Sequence, residues 1–317
     1  MKILILKLNA TGDVVRTTSL LRRLKGEITW VTARYNYALL DGVAENVQTL
    51  CWEDREKIQG QKYDLVINLE DEVEVAALVR TVPHGQLFGA YLNGSDTPSY
   101  TEDSRAWFDM SLISIYGRQK ADGLKFQNRR TYQELIFEGL GFEFAGEEYV
   151  LPKAVTTELS GDVAIAPAAG AGWPMKNWAF YAELKRALEA EGLVVNVLPK
   201  RSSLLEHLSD VRNHACLVSG DSLPMHFGLG TGRRCVTIFN CTSPWEIFGY
   251  GLQTKIVSPL MEEFFYKRGF DPRATTAIPL SDVRAAILKE YRKCADTGGQ
   301  SVSLPEDPLP LPTEIVA

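Results

Sequence analysis

Short runs of apolar, largely β-branched residues alternate along this chain with longer stretches in which apolar positions recur every three or four residues. The runs fall at residues 3–8, 28–32, 63–68, 163–167, 193–198, 215–219 and 234–240. Runs that stay apolar on both sides of the pleat predict strands buried on both faces, as parallel strands joined by crossover helices are. Helical spacing is clearest in "TTSLLRRLK" (17–25), "TYQELIFEGLG" (131–141), "WAFYAELKRALEAEG" (178–192) and "SDVRAAILKEYRKC" (281–294). Two of these stop in a glycine, Gly141 and Gly192, as helix C-termini commonly do. The predicted class is α/β.

The series runs twice. The segment "YVLPKAVTTELSGDV" (149–163) is polar and punctuated by Pro and Gly, and a new strand–helix series follows it. The expected organisation is two Rossmann-like domains facing one another across a cleft, residues 1–152 and 153–295. The last stretch, "DTGGQSVSLPEDPLPLPTEIVA" (296–317), is rich in Pro, Gly and Ser and is expected to be an extended or disordered tail.

Composition narrows the function only a little. A chain of 317 residues, 45% of them hydrophobic, can bury two cores, and a net charge of −6 gives no global footprint for nucleic acid. The five cysteines, Cys51, Cys216, Cys235, Cys241 and Cys294, form no C-x-x-C pair. They predict neither a zinc site nor a disulfide framework, and a reducing cytoplasm is the expected location. No apolar run approaches the length of a membrane span, so at most peripheral contact with the inner face of a membrane is expected.

Ligands of parallel α/β sheets bind beyond the carboxyl ends of the strands, where loops meet helix N-termini. In the first half that place is "KLNATGDVV" (7–15). Gly12 permits a turn without a Cβ, and Thr11 offers a hydroxyl. Asp13 reads two ways: as the cap of a helix beginning at Val14, or as a carboxylate that takes a proton from a substrate hydroxyl. In the second half the strand "VAIAP" ends in "AAGAGWPMKNW". There Ala169, Gly170 and their small neighbours leave the backbone exposed, and Lys176 adds an ammonium, a combination that holds phosphate. The strand "ACLVS" ends in "GDSLPMHFGLGTG", with Asp221 and Ser222 at its end, Pro224 as a possible first residue of the next helix, and His226 near that helix start.

These segments resemble the family 9 glycosyltransferases, of which the bacterial lipopolysaccharide ADP-heptosyltransferases are the best-known members. The resemblance rests on "ILKLNATGDVVRTTSLLRRLK" (strand, then K-x-x-x-x-G-D, then helix), on "APAAGAGWPMKNWAFYAEL" (small-residue loop, then K-x-W), and on "LVSGDSLPMHFGLGTGRRCVTIFNCTSPWEIFGYG" (D-[ST]-x-x-x-H, strand, T-x-P, Y-G). They occur in order over residues 1 to about 290. The resemblance implies a GT-B fold, with an N-terminal acceptor domain and a C-terminal nucleotide-sugar domain. It also implies inverting, metal-independent transfer of a sugar, with heptose from ADP-heptose as the implied case, to a saccharide or glycolipid acceptor. The nucleotide sugar is then a substrate, and no cofactor or metal is implied.

Carried over by position, Asp13 resembles the general base and Lys176 the lysine on the donor phosphate. Asp221 resembles the acid that holds donor sugar hydroxyls, and Ser222, Leu223, Pro224, Met225 and His226 resemble the helix start that receives the diphosphate. Thr11, Gly12, Ala169 and Gly170 are implied in the donor site as well. One departure stands out: the family's Glu-containing helix at the donor ribose is missing, and "KRSS" (200–203) leads almost directly into "LLEHL", with Glu206 the nearest carboxylate. On the acceptor side, Arg16, Glu70, Asn128 and Arg130 are candidates for binding. Residues 264–278 mix aromatics and cations, and read either as a cleft-bordering element or as packing. A sugar-nucleotide epimerase or hydrolase, and a non-catalytic nucleotide-sugar-binding module, are the competing classes.

Overall fold

The computed structural model describes residues 1–170 and 172–296, and the chain divides into two compact units with the boundary between Lys153 and Ala154. The first unit holds one sheet of six strands: β1 (Lys2–Leu6), β2 (Glu27–Thr32), β3 (Val47–Cys51), β4 (Tyr63–Asn68), β5 (His84–Leu92) and β6 (Pro98–Tyr100). Their order is β3-β2-β1-β4-β5-β6, and neighbours are parallel except for the antiparallel β5–β6 pair. Its helices are α1 (Thr11–Thr17), α2 (Val73–Thr81), α3 (Arg105–Phe108), α4 (Arg118–Gln127) and α5 (Tyr132–Gly139).

The register explains the unbroken apolar runs. Ile5 of β1 lies opposite Trp30 of β2 and Ile67 of β4, and this face packs on Val14, Leu20, Ile136 and Phe137. The next residues, Leu4 and Leu6, point to the other face, onto Val75 and Val79 of α2. Alternate side chains thus enter two cores, and each fully buried aliphatic contributes about 2 kcal/mol.

The second unit has five parallel strands: β7 (Gly161–Ala166), β8 (Val195–Val197), β9 (His214–Gly220), β10 (Arg234–Phe239) and β11 (Gln253–Val257), in the order β11-β10-β9-β7-β8. Helices α6 (Tyr181–Glu189), α7 (Leu204–Arg212), α8 (Leu223–Gly230), α9 (Met261–Phe264), α10 (Pro272–Thr276) and α11 (Leu280–Asp296) accompany them. Val163, Ile165, Val218 and Ile238 pack on Leu184 and Leu188 of α6 and on Val283 and Ile287 of α11. In each sheet the chain reverses its direction of travel once, between β1 and β4 and between β7 and β9, and each reversal opens a crevice at the strands' carboxyl ends.

Several expectations change. The helix after β1 begins at Thr11, not Val14, and residues 18–22 continue as a 3₁₀ turn instead of an α-helix. Strands β3, β5, β6 and β11 were not among the apolar runs. Gly141 and Gly192 do close their helices, both at left-handed φ (79° and 85°), with Phe142 N–H returning to Phe137 O at 2.8 Å. The tail expected at 296–317 lies outside the described residues, except for Asp296 at the end of α11. Among the described residues no helix is long and apolar enough to cross a membrane.

Candidate functional site

The first cluster stands where β1 and β4 end. Lys7 follows β1 directly and is buried, and its Nζ donates to Glu70 Oε1 at 2.6 Å. The same carboxylate oxygen accepts the backbone N–H groups of Leu8 (2.8 Å) and Asn9 (3.0 Å). Burial works against the Lys7 ammonium, but Glu70 and then Asp13 more than offset it, so its pKa is raised. Glu70 therefore shapes the loop after β1 through Oε1, and it is buried. Asn36 Nδ2 donates to Leu8 O at 2.6 Å, and Tyr35 hydroxyl to Asn9 Oδ1 at 2.9 Å, completing the hold on this loop.

Ala10 makes the turn into α1 with φ 55° and ψ 80°, a left-handed conformation unusual for a residue with a Cβ. It occupies the cap position and offers no side-chain cap. Thr11 and Gly12 form the start of the first turn, and Asp13 is the third helical residue, with its side chain 30% exposed. The reading of Asp13 as the helix cap therefore falls: its N–H bonds Ala10 O at 2.6 Å, and its carboxylate pairs with Arg16 at 3.0 Å. Arg16 is buried, its guanidinium 3.9 Å above the Tyr132 ring, and Tyr132 hydroxyl lies 2.7 Å from Thr17 Oγ1. Tyr132 is delivered by α5, whose start is fixed by a capping box between Thr131 and Glu134. Asn128 and Arg130 instead form a local turn ahead of it, with Asn128 Nδ2 on Arg130 O at 2.7 Å and Arg130 paired with Glu138.

The second cluster stands where β7 and β9 end. The loop after β7 runs through Ala169, whose N–H donates to Asn177 Oδ1 at 2.8 Å, and Gly170, and turns at residues 174–176 to present Lys176. Lys176 Nζ donates to Asp221 Oδ2 and to Asp221 O, both at 2.9 Å. Gly220 is what lets the two segments meet: a Cβ there would sit 2.9 Å from Lys176 O. Burial opposes the Asp221 carboxylate, yet Lys176, with His226 adding a smaller effect, holds its pKa at about 2.

Ser222 occupies the cap position of α8 without a side-chain cap bond, Leu223 is its first residue, and Pro224 its second. Met225 and His226 are buried in its first turns. Beside them lies a pocket of about 400 Å³ lined by residues 166–170, 198–201 and 222–224 with Ser203, Leu204 and His207. None of the lining residues is acidic. Arg201 at its rim is bound bidentately to buried Asp210 (2.6 and 3.0 Å), whereas Lys200 is exposed. Glu206 sits in α7 and does not line the pocket. β8 is three residues long and passes to α7 with no further strand or helix between.

Residues 264–278, read from the sequence as a cleft-bordering element or as packing, make contacts within the second unit: Tyr266 meets Trp173 edge-on at 5.3 Å, and Arg268 lies 3.4 Å from the Trp173 ring centroid, with Nη1 on Gly172 O at 3.2 Å. Other contributors were not singled out by sequence reading. Lys255 on β11 is buried and donates to Pro244 O (2.7 Å) and Ile247 O (2.6 Å), bracing the loop after β10. The signal for Lys7 and Lys255 was a cation inside an apolar run, which demands a buried partner. Among the described residues no group of three or more His, Cys, Asp or Glu side chains is placed to hold a metal ion.

No protein-family model matches the chain, and no curated protein does. Solved structures do. Escherichia coli heptosyltransferase WaaC with ADP is 17% identical, covers 92% of this chain and 100% of its own, and superposes with a TM-score of 0.60. A family 9 glycosyltransferase from Veillonella parvula is 15% identical, with 92% and 97% covered and a TM-score of 0.65. E. coli ADP-heptose lipopolysaccharide heptosyltransferase II is 16% identical, with 92% and 99% covered and a TM-score of 0.58. The chain has the GT-B fold of the family 9 heptosyltransferases.

Proposed function

We propose that this protein is a glycosyltransferase that moves a sugar from a nucleoside-diphosphate donor to a hydroxyl of a saccharide or glycolipid acceptor of the cell envelope, by inverting transfer without a divalent metal. The observation that carries the reading is the Lys176–Asp221 pair at the sheet reversal of the second unit, next to a pocket of nucleotide size. ADP-heptose is the favoured donor, since similarly folded enzymes bind ADP and ADP-2-deoxy-2-fluoro heptose.

In this mechanism Asp13 takes the proton of the acceptor hydroxyl as its oxygen attacks the anomeric carbon, and Arg16 orients the carboxylate. The bond to the nucleoside diphosphate breaks on the opposite face. Lys176 and the backbone N–H groups at the start of α8 meet the charge that grows on the leaving group. Asp221, ionised through the neutral range, accepts hydrogen bonds from the donor sugar hydroxyls.

A thermal-shift screen of ADP, UDP, GDP and CDP tests the donor site, since a ligand at 100 times its dissociation constant adds about 2.7 kcal/mol. ADP release from ADP-heptose is then followed with and without a saccharide acceptor. Acceptor-dependent release is expected. Release without acceptor would establish a hydrolase, conversion of the donor to its epimer an epimerase, and binding with neither outcome a binding module.

A further inference from the structure

We propose that Cys216 and Cys294 are a thiol pair that a hydroperoxide converts to a disulfide, fastening the end of α11 to β9. The pair belongs to the second unit, at the opposite end of β9 from Asp221, and is independent of the sugar-transfer reading. Cys216 is fully buried, Cys294 is half-buried in the last turn of α11, and their sulfurs stand 3.5 Å apart across 78 residues of chain. The last turn is held in that position. Tyr291 hydroxyl, three residues earlier, donates to Asp162 Oδ1 at 2.7 Å. Glu290, four residues earlier, accepts from Arg234 Nη1 at 3.0 Å and from Thr254 Oγ1 at 2.9 Å. Helix positions three and four apart share a face, so both contacts turn Cys294 toward the sheet. The pairing is also selective. Cys235 lies opposite Leu217 in the register of β9 and β10, and both side chains border Gly228 of α8. Cys216, one residue before Leu217, points to the other face of the sheet, where Cys294 packs on its cluster.

Their surroundings set which sulfur reacts first. Contact with the Cys216 thiol, and then the charges of Arg234 and Arg233, hold the Cys294 thiol below the ordinary cysteine value in spite of its burial. Contact with Cys294 and then burial push the Cys216 thiol up. Cys294, the more accessible and more acidic of the two, is therefore the attacking group, and Cys216 resolves. The Cys294 thiolate attacks one oxygen of the hydroperoxide: an S–O bond forms, the O–O bond breaks, and the departing oxygen takes up the proton that Cys294 released. The Cys216 sulfur then attacks the sulfur of the Cys294 sulfenic acid. An S–S bond forms, the S–O bond breaks, and hydroxide leaves with the Cys216 proton as water. The two thiols lose two electrons and the hydroperoxide gains them. To bond, the sulfurs close by about 1.5 Å, a movement that the last turn of a helix allows. A hydroperoxide is also small enough to reach a half-buried thiol, and a dithiol reductant reverses the bond by exchange.

The test treats the folded full chain with hydrogen peroxide and maps its peptides without reduction. A cross-link between Cys216 and Cys294 of the same chain is expected, and dithiothreitol should remove it. The oxidised chain should melt about 5 °C or more above the reduced one, because the bond closes a loop of 78 residues. In Cys216→Ala the cross-link should vanish, and dimedone, which captures sulfenic acids, should label Cys294. Cys294→Ala should show neither signal. Cys51→Ala, in the first unit, should behave as the wild type does. Absence of the cross-link in the folded wild type, its formation only in urea, pairing of either sulfur with Cys235, or an oxidised chain that melts no higher than the reduced one would each overturn the proposal.

Discussion

Lys176 Nζ touches Asp221 twice, at the carboxylate and at the main-chain oxygen, both at 2.9 Å, and so joins the loop after β7 to the end of β9. Both side chains are largely buried, 14% and 16% exposed, so this contact is little screened by solvent. In the proposed function, a donor diphosphate would meet an ammonium that Asp221 already orients.

Replacing Lys176 by Ala removes that orienting charge. A fall of about 100-fold in donor turnover, or roughly 3 kcal/mol in the transition state, is expected in steady-state kinetics. Asp221→Ala should act differently, weakening affinity for the whole nucleotide sugar while sparing the free nucleoside diphosphate. Calorimetry with both ligands separates the two, and equal losses would reduce Asp221 to a support for Lys176.

Asp13→Asn tests the base. Because Ala10 holds the cap position, the substitution leaves the start of α1 intact in shape, and the Asn amide still reaches toward Arg16. Turnover should drop by 100-fold or more at unchanged donor affinity in a protein that still folds, with some loss of stability because buried Arg16 loses its charged partner. Full transfer activity in this variant would end the catalytic assignment.

Glu70→Gln should damage stability before chemistry. It leaves the buried Lys7 ammonium without its counterion, a loss of about 3 kcal/mol measurable by urea unfolding. A change below about 1 kcal/mol would place the Lys7–Glu70 pair with ordinary surface ion pairs.

Burial lowers the Lys255 pKa from 10.5 to about 8. Between those two values the unfolded chain binds the proton and the folded chain does not, so the wild type gains stability as pH rises through that window. Relative to Lys255→Met, which cannot titrate, the wild type should gain about 3 kcal/mol between pH 8 and 10.5. Parallel unfolding curves across this range would show a folded-state pKa close to the ordinary lysine value.

The strands buried on both faces were legible because the apolar runs that form β1, β4, β7, β9 and β10 have no competing reading. β5 was hidden by its composition, "HGQLFGAYL": Gly89 sits in it at φ 109°, and a Cβ there would collide with Asn68 O at 1.9 Å. The start of α1 was hidden for a related reason, since the turn is made by Ala10 and not by the glycine two residues later. Lys176 and Asp221 could be singled out from their places at strand ends, but their contact depends on Gly220 allowing two loops 45 residues apart to approach. Glu70 was legible as a strand-end carboxylate, and its burial on Lys7 was not, because a charge partner 63 residues away leaves no local periodicity.

The three-residue strand β8 lies at the edge of its sheet and pairs on one side only, with β7. Chain can be inserted or deleted after such a strand without breaking any ladder inside the sheet. Lengthening here by a strand and a helix would add a new wall, with its own carboxylate, to the pocket beside residues 198–201, and would leave Lys176, Asp221 and α8 untouched. In evolutionary terms this edge is where the nucleotide proposed for the second unit would be changed by indels, while the groups proposed for bond cleavage stay in place.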